Sequence, residues 1–178
     1  MRVLLVVESI FGNTRRIADA IASGIGSTAQ VQVVDVEDAP TALDGVDLLV
    51  VGGPTHAFGL TSEASRRTAA DQSGHAVPVA AIGLRDWLAR IASARGSAPV
   101  PEPSAAAAFD TRMNVLRLPG SAAAKAARRL RRAGFHIVAR PKTFRVVGTE
   151  GPLREGELDR AAEWGATLVR RASPVPSR

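Results

Sequence analysis

The chain contains no cysteine and no tyrosine. Without cysteine there is no disulfide, no thiolate zinc site, no cysteine-ligated iron–sulfur cluster and no thiol nucleophile. The three histidines, at positions 56, 75 and 136, stand far apart and show no His-x-x-x-His spacing, so the sequence predicts no metal site. Aromatic residues make up only 4% of the 178 positions, which leaves few platforms for stacking nucleic-acid bases. No apolar run is long enough to span a bilayer. The apolar stretch at 3–7 is too short for the core of a secretion signal, and Glu8 ends it. The expectation is a cytoplasmic chain. Its length suits one domain, read as residues 1–172, with 173–178 a frayed tail.

Acid is also missing from one long stretch. Between positions 111 and 149 there is no Asp or Glu, but there are ten Lys and Arg. The whole chain carries +6, so the remainder carries −4. The densest cations are Arg128, Arg129, Arg131 and Arg132. Such a block either attracts an acidic protein, an anionic membrane or nucleic acid, or is the solvated face of a helix. Nucleic acid is the weakest of these, because no helix-turn-helix or zinc pattern accompanies the charge.

What is present alternates between strand and helix signals. Apolar runs at 3–7, 31–36, 47–51 and 105–109 predict strands, and a fifth at 135–138 resumes at 144–147 beyond Pro141. Helical patterns fall at 14–25, 84–91, 121–133 and 157–171, with a polar candidate at 61–70. In the first of these, Ile17, Ile21 and Ile25 recur every fourth residue. Five strands alternating with helices predict a doubly wound α/β fold, a parallel sheet with helices on both faces. The stretch from 53 to 83 is too long for an ordinary connection and is a candidate lid or binding loop.

Such sheets bind ligands at the carboxyl ends of their strands. The run Ser9-Ile10-Phe11-Gly12-Asn13-Thr14 lies there, between the first strand and the first helix. Unpaired N–H groups at a helix N-terminus, with hydroxyls from Ser9 and Thr14, suit a phosphate. The same residues suit a plain helix cap equally well. Rival fingerprints are misplaced or absent. No Gly-x-x-x-x-Gly-Lys-Ser/Thr run occurs. Gly24-Ile25-Gly26-Ser27-Thr28-Ala29 has dinucleotide-type spacing, but it follows a helix and precedes a strand, so it reads as a helix C-cap. A phospho-receiver would need an Asp where Gly52-Gly53-Pro54 stands.

Three stretches together resemble the flavodoxin-like family. Glu8 to Ala18 is similar to that family's FMN-phosphate loop. Val51-Gly52-Gly53-Pro54-Thr55-His56-Ala57-Phe58-Gly59 is similar to the loop that lies against the flavin ring, and to the Pro-Thr-Arg-Phe-Gly run of flavodoxin-like quinone oxidoreductases. Ala108-Phe109-Asp110-Thr111-Arg112 stands in the place of the second ring loop. The Gly-Pro-Thr-His-Ala-Phe-Gly and Phe-Asp-Thr-Arg runs look closest to flavodoxin-domain proteins of actinobacteria.

The resemblance implies strand order 2-1-3-4-5 and FMN as cofactor. It puts the phosphate at Ser9, Ile10, Phe11, Gly12, Asn13 and Thr14. It puts one side of the ring at Pro54, Thr55, His56, Phe58 and Gly59, and the other at Phe109, Asp110, Thr111 and Arg112. It implies electron transfer with a redox partner protein, or reduction of small acceptors such as quinones. Whether the chain is a carrier or an FMN-dependent oxidoreductase stays open. No NAD(P)H module is visible, and His56 is the best candidate for an acid. Three features depart from the family pattern. Phe11 replaces a hydroxyl residue, the Trp/Tyr pair that stacks on the ring is missing, and the chain is basic. Phe11 and the missing aromatic pair favour an alternative, a flavodoxin-fold binding or regulatory module that has lost flavin.

Overall fold

Strand β1 (Arg2–Val7) and strand β3 (Leu48–Pro54) are apolar from end to end because both of their faces are covered. The computed structural model describes residues 1–56, 59–73, 80–96, 105–113 and 120–173. Helix α1 (Asn13–Ile25) follows β1, and β2 (Gln30–Asp35) returns parallel to it. After β3 come α2 (Glu63–Gln72) and α3 (Leu84–Gly96). Then follow β4 (Ala105–Met113), α4 (Ala122–Arg132), β5 (His136–Ile137), β6 (Lys142–Val146) and α5 (Glu157–Ala172).

The strands pair in parallel in the order β2-β1-β3-β4-β5, with β6 also on β4. This is the order that the resemblance implied. β5 pairs with Ala105 and Ala106, while β6 pairs with Phe109 to Met113. The two are halves of one edge strand, interrupted at 138–141, where Pro141 has no N–H to give. β4 runs four residues beyond the predicted strand because β6 and the end of β3 both pair with that extension. β2, at the opposite edge, is only half covered.

Helices cover both faces. Leu4, Val6, Leu49, Val51, Ala106 and Ala108 pack against α3 and α4, with Trp87 fully buried among them. Val3, Leu5, Val7, Leu48, Val50 and Ala107 face α1 and α5, with Trp164 in that layer. α1 and α5 approach so closely that a Cβ at Gly24 would fall on the Ala162 carbonyl, and one at Gly165 on that of Ile21. The 24–29 run is thus a capping device, as expected, and its Gly24 also a packing one. Gly26, at φ +57°, ends α1 with its N–H on the Ala22 carbonyl. Among the described residues no helix is long and apolar enough to cross a membrane.

Candidate functional site

β1 delivers the chain to the carboxyl edge of the sheet, where Glu8 N–H still bonds to the Gly52 carbonyl at 2.9 Å. The next residues turn sharply into α1. Gly12 sits at φ +78°, ψ −18° at the N-cap, a left-handed conformation that a β-carbon disfavours, and open space lies on its Cβ side. The Ser9 hydroxyl accepts the Arg15 N–H at 3.2 Å, so it caps the helix while its own O–H remains a donor. The backbone N–H groups of residues 10–14 have no acceptor among the described residues. Five unpaired donors and a hydroxyl thus lie at the positive end of one helix.

The loop is anchored to both neighbouring segments. Asn13 Nδ2 donates to the Glu150 carbonyl at 2.7 Å, and the buried hydroxyls of Thr14 and Thr111 share a hydrogen bond of 2.8 Å. These two bonds tie the start of α1 to the β6–α5 connection and to the end of β4. Ile10 and Phe11 are half-buried. The sequence reading gave Glu150 no part in the loop, and no local pattern points to it, since it lies 137 positions from Asn13.

Glu8 is a further residue the sequence reading left out. It is 3% exposed, and its carboxylate accepts from the Thr61 hydroxyl and, at 2.8 Å, from the Leu84 N–H that opens α3. Its position directly after an apolar run was the available signal. A cavity of about 280 Å³ opens beside it, lined by Ser9, Ile10, Glu37 and Arg66 among others. Arg66 is buried there, but its guanidinium is engaged by the Ala80 and Ala81 carbonyls and by Asp86 at 3.7 Å. An anion at the 9–14 loop would therefore rest on backbone donors.

The second and third motifs meet at α4. Thr55 N–H bonds to the Thr111 carbonyl at 2.9 Å, and His56 and Gly59 close a turn on each other through bonds of 3.0 and 2.8 Å. Pro54, Thr55 and His56 are half-buried at this edge. Phe58 lies outside the described residues. Arg112 Nη1 donates to the Gly120 carbonyl at 2.9 Å. Burial pushes the His56 pKa below its ordinary value of 6.5, so the imidazole is neutral at pH 7.

Phe109 and Asp110, both expected beside the ring, have buried side chains. Phe109 is 1% exposed and faces α5, with edge-on contacts to Phe144 and Trp164 at centroid distances of 6.0 and 6.2 Å. Asp110 is fully buried and points the other way, toward α4. Its Oδ2 accepts from Thr55 Oγ1 at 2.9 Å, Ser121 Oγ at 2.6 Å and Ala123 N–H at 3.0 Å. Alternation along β4 sends one side chain into each core. Phe109 closes the α1/α5 core, and Asp110 fastens β3 and β4 to the start of α4. Ser121, which the sequence reading did not single out, completes this network and caps α4 by accepting the Ala124 N–H at 3.0 Å.

The architecture on its own is decisive when compared with solved structures. Over 97% of its length the chain superposes on 99% of a flavodoxin from the domain Archaea, with TM-score 0.67 and 18% identity. The fold is flavodoxin-like. Flavodoxin 1 of Bacillus cereus matches 96% of the chain over 98% of its own, with TM-score 0.66 and 18% identity. A flavodiiron protein of Giardia intestinalis matches 96% of the chain with 36% of its own, at TM-score 0.66 and 18% identity. No protein-family model and no curated protein matches the sequence. At these identities the flavodoxin-like assignment rests on shape and topology.

Proposed function

We propose that this chain binds FMN at the carboxyl edge of β1, β3 and β4 and transfers electrons, to a partner protein or to a small acceptor such as a quinone. The observation that carries the reading is the set of unpaired N–H groups at 10–14 around left-handed Gly12. A phosphate monoester is the group such a donor set suits, and it needs no lysine there. The likeness of the Gly-Pro-Thr-His-Ala-Phe-Gly and Phe-Asp-Thr-Arg runs to actinobacterial flavodoxin-domain proteins supports the same reading.

Ser9, Ile10, Gly12, Asn13 and Thr14 would hold the phosphate, with Phe11 contributing its N–H in place of a hydroxyl. Pro54, Thr55, His56 and Gly59 would border one side of the ring, and Thr111 and Arg112 the other. Bound FMN would supply one- and two-electron redox chemistry. Arg112 would place positive charge at the ring edge and favour reduction. Neutral His56 adds no charge at pH 7 and acts there as a hydrogen-bonding group.

Titration of FMN into the purified chain tests this, read by quenching of flavin fluorescence. One-to-one binding is expected. Riboflavin, which lacks the phosphate, should bind roughly ten- to a hundredfold more weakly, the equivalent of one charge-assisted hydrogen bond. FMN at about 100 times Kd should stabilise the fold by about 2.7 kcal/mol. A chain that ignores FMN and shows no thermal shift would refute the proposal.

One observation favours a second reading, in which the fold serves as a module without flavin. Both tryptophans are buried, Trp87 in one core and Trp164 in the other, and Phe11 stands in the phosphate loop. Neither indole can stack on a ring. The same titration separates the two readings.

A further inference from the structure

The outer face of α4 is a row of cations. Lys125, Arg128, Arg129 and Arg132 recur at the spacing that aligns side chains along one helix face. All four are exposed, and among the described residues none has an ion-pair partner. The opposite face is Ala122, Ala123, Ala126, Ala127 and Leu130, all buried. Helix stability does not account for the row. Cations near a helix C-terminus are favoured by the dipole, which covers Arg129 and Arg132. Lys125 stands in the first half of the helix, where the dipole disfavours it, and like charges three and four apart repel.

The row begins at the candidate site. Ala122 N–H donates to Thr55 Oγ1 at 3.0 Å and Ala123 N–H to Asp110, which fixes the first turn of α4 to the ends of β3 and β4. The Lys125 ammonium lies against Gly59, where a Cβ would meet it. From there the row extends about 10 Å along the helix. The sheet order adds a long-range bias. The first 50 residues carry seven acids and three arginines and build β2, β1 and α1, while the cationic stretch builds the edge formed by α4, β5 and β6.

We propose that the α4 row is the docking surface for an acidic electron-carrier protein, which it brings to the edge of the site at His56 and Gly59. The proposal rests on the FMN reading of that site. Bound FMN would supply the redox group for the transfer, and the α4 row would hold the partner beside it. A lipid surface fits less well, because among the described residues the exposed large apolar side chains, Val147 and Leu158, lie off α4. Nucleic acid fits less well because α4 carries no aromatic side chain for stacking. Discrete carboxylates on a protein match guanidinium forks geometrically.

Calorimetric titration with an oxidised acidic ferredoxin as probe tests the proposal at low salt and at about 150 mM salt. R128Q/R129Q/R132Q should bind the probe roughly tenfold more weakly than the natural chain. R154Q/R170Q/R171Q removes the same charge from the loop before α5 and from α5 itself, and should stay within about twofold of it. Salt should weaken the natural chain and the α5 variant but barely change the α4 variant. Equal losses in both variants would overturn the proposal, as would no binding at low salt. Tighter binding to phosphatidylglycerol vesicles or duplex DNA than to ferredoxin would overturn it too. Tryptophan fluorescence melting confirms that both variants are folded. FMN titration of the same samples keeps the two readings apart. Absent flavin binding removes the FMN reading and leaves ferredoxin docking measurable. Flavin binding without α4-dependent docking removes this proposal alone.

Discussion

Replacing Asp110 by alanine should destabilise the fold by about 2–4 kcal/mol. The carboxylate is fully buried, and its Oδ2 accepts from two hydroxyls and one N–H. Hydrogen bonds to a charged acceptor are each worth about 1.5–3 kcal/mol, so three give a gross of several kcal/mol. Desolvating the carboxylate takes back several kcal/mol of this, and Oδ1, buried with no partner among the described residues, adds to that cost. Truncation also strands the donors. The Thr55 and Ser121 hydroxyls can rotate to other acceptors, but the buried Ala123 N–H cannot, at about 1–3 kcal/mol. Asp110→Asn keeps the shape and an acceptor oxygen, and should lose roughly half as much.

Urea unfolding followed by tryptophan fluorescence measures this. Trp87 and Trp164 sit on opposite faces of the sheet, so one emission signal reports both cores. With an m-value of about 2 kcal/mol/M, a loss of 3 kcal/mol moves the midpoint by about 1.5 M. A loss under about 1 kcal/mol for Asp110→Ala would show that the network does not hold α4 to the sheet. An asparagine variant as damaged as the alanine one would show that charge, rather than shape, carries the whole effect. In the alanine variant FMN affinity should fall with stability, because the Thr55 hydroxyl loses its acceptor.

Gly52→Ala drives a Cβ into the Phe109 ring and Gly24→Ala drives one into the Ala162 backbone, so each should cost about 1–3 kcal/mol in the same urea assay. His56 gives a pH signature. Burial depresses its folded pKa below 6.5, so the unfolded chain takes up a proton first as pH falls. Its contribution is fully present above about pH 6.5, declines below it, and levels off once the folded pKa is passed; His56→Gln should flatten that part of the stability–pH curve. Gly12→Ala places a side chain at φ +78° and should cost about 1–2 kcal/mol in stability, with FMN affinity falling as the loop relaxes. In a redox titration of the FMN-loaded chain, Arg112→Gln should lower the two-electron potential, and an unchanged value would show that its charge does not reach the ring.

Much of the fold was legible because the signals are local. Ile17, Ile21 and Ile25 mark the buried face of α1 by periodicity alone, and the uninterrupted apolar run of β1 announced a strand covered on both sides. Pro141 marked the break between β5 and β6 because proline cannot donate to a ladder. Gly26 was readable as a C-cap from its place after a helix. The 9–14 loop was legible as a strand–turn–helix junction. Its anchoring was not, because the Thr14–Thr111 and Asn13–Glu150 bonds join residues 97 and 137 positions apart.

The sequence by itself determined the elements, the order in which they alternate, and the concentration of positive charge in one stretch. These follow from side-chain periodicity, turn residues and counting, which need no knowledge of neighbours. Tertiary structure alone decided what faces what. It turned Phe109 into one core and Asp110 into the other, left Arg112 to the Gly120 carbonyl, and set Lys125 against Gly59. Side chains on a strand alternate by rule, but which core receives each one, and which distant donor meets it there, depends on helices packed from far along the chain.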